Sequence, residues 1–329
     1  MLKRFLLLAI FSSLFVFSNA AQTSQKSLKQ LKANITSAKS VGEELSARIE
    51  LIDYWAQVDT RKWKEEIQSI LASRSHYPSQ ESQQQIDILS AEYDWYSGNM
   101  DQFKSILSNR LKKGNGLSVS MKFRLNRLWF DYELTQENWS QAKAKADSAI
   151  QTSRKQRNNA NTSLIYQDLS HLYMKMSIRD SAFWASDRAI SLAKRSQRRE
   201  MLILALQNQA NTHGYFLDLE GAVQKELQAI RLAEELHLEA YKIHSFLEIA
   251  KYSSFVGNWT EALGYLKRAL QLAREYHDDQ AIAFISLHFS KVYLHQNQLT
   301  LSLYHARKSE RYFKSESDVY HMAQCAHSI

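Results

Sequence analysis

The sequence predicts an all-α fold, a right-handed α-solenoid of stacked antiparallel helix hairpins. Three observations lead there. Pairs of small residues seven apart recur at a fixed step of 40: Ala142/Ala149, Ala182/Ala189, Ala222/Ala229, Ala262/Ala269 and Ser302/Ser309. Self-similarity at one period of this size marks a chain made by copying a single supersecondary unit. Glycine and proline are scarce, eight and one in 329 residues, so helices run on between short turns. Within each copy, large apolar residues fall three or four apart, which gives each helix one buried stripe.

The chain then divides in order. Residues 1–20 read as a secretory signal peptide: Lys3 and Arg4, an apolar run from Phe5 to Phe17, and small residues in Ser18-Asn19-Ala20. The run is too short for a comfortable membrane span, and no span is expected once it is removed. Residues 21–120 form an N-terminal helical region holding two degraded hairpins, Ile49 to Leu71 around Trp63 and Ile86 to Leu107 around Phe103. Residues 121–316 are the array proper, about five repeats. The clearest copy offers Phe246, Ile249, Ala250 and Phe255 on one helix, a turn at Gly257-Asn258-Trp259, then Ala262, Leu266, Ala269 and Leu270 on the next. The small residues stand where two helix backbones must approach closely. The copy around Ala142 departs, with bulky Phe130 at its first small site, so that hairpin is expected to be splayed or shifted. Asn138-Trp139-Ser140 and Asn258-Trp259-Thr260 fit an N-glycosylation acceptor, but an asparagine turn with a ring over the hairpin end accounts for both. Residues 317–329 supply one more helix, with Val319, Met322, Ala326 and Ile329 as its stripe and Gln324 facing away. It is either a cap or a truncated repeat.

These residues resemble the tetratricopeptide repeat family, whose pattern runs large, large-small, aromatic, turn, small, large, small. It falls on Tyr166, Leu169, Ser170, Tyr173, Ala182 and Ala189, on Leu206, Ala210, Ala222 and Ala229, and on Phe289, Ser290, Tyr293, Ser302 and Ser309. A step of 40 exceeds the family's commoner step of about 34, and at roughly 1.5 Å per residue the excess adds about nine ångströms of helix. With so little glycine and proline, the extra residues belong in the helices.

Composition and motifs exclude more than they assign. The count of 42 Lys plus Arg against 34 Asp plus Glu gives a net charge of +8. Much of the excess lies near the ends of second helices, as in Lys112-Lys113, Arg154 to Arg157, and Lys194 to Arg199, where cations answer the helix dipole. No nucleic-acid partner is expected of an exported chain with this pattern. Cys325 is the single cysteine, so no intrachain disulfide forms. No catalytic residue, metal site or cofactor is predicted. His277-Asp278-Asp279 reads as a helix cap, His321, Cys325 and His327 do not make a ligand set, and Gly114 and Gly116 mark a turn.

The resemblance implies binding of a protein or peptide partner on the polar stripe of each first helix. By that resemblance the ligand-facing residues are Arg124, Arg127 and Asp131; Gln167, His171 and Lys175; Gln207, Asn211 and Tyr215; Lys251; and Lys291 and His295. Such a mildly basic groove suits an extended peptide with some acidic character. The family's carboxylate clamp needs a basic residue followed four later by Asn. Here Arg127 is followed by Asp131, so that activity is not implied. Two functional readings stand: an exported, periplasmic or secreted scaffold without catalysis, or the sensor portion of a membrane-anchored bacterial regulator or kinase completed by a longer chain.

Overall fold

The structure is a computed structural model that describes residues 28–58, 60–110, 117–196, 198–315 and 319–326. The proposed signal peptide, Lys112-Lys113, Gly114, Gly116, His327 and Ile329 lie outside the described residues. Among those described there are sixteen α-helices and no strand. They are α1 Leu28–Thr36, α2 Val41–Val58, α3 Thr60–Ala72, α4 Gln80–Tyr96, α5 Met100–Ser105, α6 Val119–Thr135, α7 Trp139–Lys155, α8 Asn159–Lys175, α9 Arg179–Arg195, α10 Glu200–Tyr215, α11 Leu219–Glu235, α12 Tyr241–Phe255, α13 Trp259–Glu275, α14 Asp279–His295, α15 Leu299–Ser315 and α16 Val319–Ala326. A single π-type turn, Ile106–Arg110, continues α5. The fold is a TPR-like α-solenoid, as the 40-residue step predicts, with helices packed in successive pairs.

One turn geometry repeats throughout. Residues with positive φ occur at Glu137, Arg157, Ser177, Leu217, His237, Gly257, His277 and Asn297, with φ between 52° and 81°. They stand at multiples of twenty from one another. At each, two backbone bonds close the helix: Asn138 N–H donates to Glu133 O at 2.9 Å while Glu137 N–H donates to Leu134 O at 3.3 Å. This is the Schellman ending. The same pair of bonds recurs at Asn158 and Arg157, Asp218 and Leu217, Asn258 and Gly257, and Asp278 and His277. At four of these turns the residue after the left-handed one also caps the next helix with its side chain. Asn158, Asp218, Asn258 and Asp278 each accept the backbone N–H three residues on. Helices α6 to α9, α11 and α13 to α15 are therefore all seventeen residues long. The residues beyond the commoner repeat length are in the helices, as expected.

The small sites are where the sequence put them. Ala142, Ala149, Ala182, Ala189, Ala222, Ala229, Ala262, Ala269, Ser302 and Ser309 are all buried. Where serine replaces alanine, its hydroxyl is satisfied across the helix pair. Ser163 Oγ donates to Ala189 O and Ser309 Oγ to Ala283 O, both at 2.8 Å. Ser302 Oγ likewise donates to Ser290 O at 3.0 Å. A hydroxyl thus fits a close backbone approach without leaving a buried donor unpaired.

The chain falls into two compact units, one ending at Met201 and the other beginning at Leu202, within α10. In the first unit, α4 packs on α6, and α6, α7, α8 and α9 pack in sequence. Its core is aromatic, with Trp55, Trp63, Tyr77 and Phe103 buried among leucines and isoleucines. Phe130, the bulky residue at a small site, is buried. In the second unit, α11 to α16 pack in sequence, and α12 also touches α14. Here α16 corrects the predicted stripe. His321 and Cys325 are buried and Met322 is half-buried, whereas Ala326 is exposed. Rings explain the rotation: His321 stacks on Phe313 at 4.8 Å and meets the edge of Phe284. Gln324 does not face away, since its Oε1 accepts from Lys291 Nζ at 2.9 Å.

Two glycines separate turn from helix energetically. Gly257 has φ +81 and nothing within 4 Å of where a Cβ would sit, and Gly264 lies inside α13 with equal space. Gly257→Ala is expected to lower stability by about 1 kcal/mol, and Gly264→Ala to raise it by about 0.5–1 kcal/mol. Urea unfolding midpoints read both, and equal signs would contradict the turn assignment.

Candidate binding surfaces on the first helices

Each hairpin's first helix carries a polar residue at one shared register. That register holds Asp131 and His171 in the first unit and Asn211, Lys251 and Lys291 in the second. Their surroundings differ between the units.

In the first unit the predicted arginines do not stand free. Arg124, 9% exposed, grips Glu92 of α4 with Nε and Nη2 at 2.8 and 2.6 Å and reaches Asp53 of α2 with Nη1 at 2.7 Å. Arg127, 2% exposed, makes a two-pronged pair with Asp168 of α8, at 2.7 and 2.9 Å. These charge-assisted forks tie α2, α4, α6 and α8 together, so both side chains serve packing. Asp131 lies beside them, 7% exposed, and accepts no hydrogen bond from the described residues. Burial, then the Asp168 carboxylate, push its pKa well above the carboxylate range against the pull of Arg127. Burial raises Asp53 to about 6 even with Arg124 opposing. His171 is half-buried, and burial followed by Lys175 lowers it to about 4, so it is neutral at pH 7. Burial also lowers Lys175, with Glu137 opposing. Gln167 is half-buried on the same helix.

In the second unit Asn211 is 1% exposed, and its Nδ2 has no hydrogen-bond partner. Tyr252 packs against the helix carrying it, so closely that a Cβ on Gly214 would lie 2.7 Å from the ring. Lys251 is buried and donates to Glu248 Oε1 at 2.7 Å. Lys291 is half-buried, and burial, then the charge of Lys251, lower it to about 8. His288, one turn before it, is neutral because burial and both lysines press its pKa down. Tyr215 is half-buried against Phe216. His295 is exposed and stacks on Trp259 at 4.8 Å, which places it on the end of the preceding hairpin.

Sequence reasoning passed over Asp53, Glu92, Asp168, Glu226 and Glu248. Glu226 alone left a trace in the sequence. It stands where the other copies have Ala146, Ser186, Leu266 and Ala306, a core register. It is fully buried with neither carboxylate oxygen hydrogen-bonded. Burial drives its pKa well up, and Glu248 adds to this while Ser245 and Lys251 oppose it. An open cleft of about 590 Å³ near Asn34, Gly42, Glu50 and Gln85 is lined by none of the predicted residues. Among the described residues there is no group of three or more His, Cys, Asp or Glu able to hold a metal, and no helix long and apolar enough to cross a membrane.

No protein-family model matches the chain, and no curated protein matches it in sequence. Solved structures do. A Rap protein complexed with Competence and Sporulation Factor aligns at TM-score 0.59 and 14% identity over 86% of this chain and 80% of its own. Aspartyl phosphate phosphatase F from Bacillus subtilis aligns at 0.57 and 14% over 89% and 79%. Cut9 with Hcn1, from an APC/C hetero-tetramer, aligns at 0.55 and 15% over 98% of this chain and 55% of its own. At these identities the likeness is one of fold.

The buried acids make stability depend on pH. A carboxyl whose folded pKa is raised binds its proton more tightly folded than unfolded. Its protonated form stabilises the fold below the unfolded pKa, and that contribution is lost as pH rises through the folded value. For Asp53 the window runs from 3.8 to about 6. For Glu226 it opens near 4.5 and extends upward. Glu226→Gln is expected to raise the thermal midpoint at pH 7, with its advantage over the parent chain shrinking toward pH 4. An advantage that is constant with pH would remove burial of the ionised acid as the cause.

Proposed function

We propose that the chain is a non-catalytic scaffold, working outside the cytoplasm, that holds a protein or peptide partner along the first helices of its hairpins. The observation that carries this reading is the polar register at Asp131, His171, Asn211, Lys251 and Lys291. Three of the five are less than a tenth exposed, and Asn211 keeps an unpaired amide nitrogen. Leaving a group like that nitrogen desolvated and unpaired costs about 1–3 kcal/mol. A partner's backbone and side chains would offset that cost. Two neighbours in fold were solved with a partner, one with Competence and Sporulation Factor and one with Hcn1. Export rests on the charged and apolar segments of residues 3–20.

Lys251 is a poor probe of this surface, because reversing it would bury a third carboxylate beside Glu226 and Glu248. Lys291 is better, since a carboxylate there would be attracted to Lys251. Lys291→Glu is expected to lower recovery of a native partner by residues 21–329 several-fold, with the circular dichroism spectrum unchanged. Undiminished recovery would remove this surface from the reading.

Location is tested separately. Residues 1–30 fused to alkaline phosphatase, which is active only after export, are expected to give active enzyme in a bacterial host. An inactive fusion, made at normal levels, would overturn the extracytoplasmic assignment.

A further inference from the structure

We infer that the first unit carries an anionic pocket at Asp131 for one cationic side chain, lysine- or arginine-like, of the peptide partner. The inference deepens the scaffold reading and rests on it. It also reverses the acidic character that the basic residues of the sequence imply for a partner in this half of the chain.

Asp53, Glu92, Asp131 and Asp168 converge from α2, α4, α6 and α8 on two guanidinium groups, Arg124 and Arg127. Four carboxylates face two cations. A third cation, Arg198, also acts on Asp53, and its Nε is paired with Glu200 at 2.7 Å. Both oxygens of Glu92 and of Asp168 are taken by guanidinium forks, and Arg124 also holds one oxygen of Asp53. Asp131 remains as the acceptor without a donor, more than nine-tenths buried, with the charges of both Asp168 and Glu92 bearing on it.

The occupied forks also select the ligand. An anion would have to break a bidentate pair to reach either arginine. A hard divalent cation takes six or more oxygen ligands and would find the oxygens of Glu92 and Asp168 engaged. One carboxylate with two free oxygens in a desolvated setting matches an ammonium, or the parallel N–H groups of a guanidinium. The raised pKa of Asp131 agrees with a site short of positive charge. A bound cation would ionise it and release a proton.

The test uses the full chain without its first twenty residues and N-acetyl-arginine amide as probe, by isothermal titration. The parent chain is expected to bind the probe more tightly as pH rises through the range in which Asp131 ionises. Asp131→Asn is expected to bind on the order of tenfold more weakly or worse, with no such pH dependence. Its thermal midpoint should not fall, because the amide replaces a buried acid. The neutral analogue N-acetyl-citrulline amide should not bind. Equal affinity in parent and variant, equal binding of the citrulline compound, or affinity indifferent to pH in the parent chain would each overturn the pocket. An array of short peptides then separates this inference from the reading beneath it. Bound peptides with no preference for Lys or Arg would sink the pocket and leave the scaffold. Probe binding that depends on Asp131, with no peptide held, would keep the pocket and sink the scaffold.

Discussion

Everything regular in this protein depends on one turn. A left-handed residue followed at once by a helix cap closes one helix and opens the next within three residues. Because that turn returns every twenty residues from Glu137 on, eight helices share one length and the side-chain register carries over from hairpin to hairpin. The small residues then meet at the helix crossings, and the polar register keeps its face. Among the described residues, Gly98 and Gly257 are the left-handed positions held by glycine. The others, Leu217 and Glu137 included, accept about 1–2 kcal/mol of local strain. Two backbone hydrogen bonds offset it at each site, and a side-chain cap adds to them after Arg157, Leu217, Gly257 and His277.

The two units satisfy buried polarity differently. The first surrounds two guanidinium groups with carboxylates from four helices, so its neighbouring hairpins are joined by directional bonds as well as by apolar contact. Breaking one such pair would strand a buried charge, commonly a loss of about 3–5 kcal/mol. The second is less complete. Asn211 and Glu226 keep unpaired atoms in its interior, and burial, then the charge of Lys251, lower the pKa of Lys291 to about 8. A surface of this kind suits recognition, because its polar groups are already desolvated before a partner arrives.

The fold was largely legible in the sequence because copying leaves a period, and a period of small residues can be counted. Ala222 and Ala229 disclose a close crossing without any knowledge of the turn. The turn itself was hidden, since a left-handed glutamate or leucine looks like any other. The site was less legible for a physical reason. Arg124 and Arg127 have their partners 71, 32 and 41 residues away. A helical stripe shows that a residue leaves the apolar face but not that a carboxylate awaits it. His295 went astray because a ring at a helix end can fold back onto the preceding hairpin's Trp259. In α16, rings on Phe313 and Phe284 drew His321 inward against the hydropathy of the stripe.

The turns within hairpins and those between hairpins share one geometry, so the backbone repeats at twenty while the side chains repeat at forty. Nothing in the main chain marks a helix as first or second. Loss or gain of a single helix would leave a well-formed backbone with its parity reversed, and every later polar register would be delivered into the core. Whole repeats can therefore be traded freely in such an array, whereas half repeats are forbidden by side chains alone.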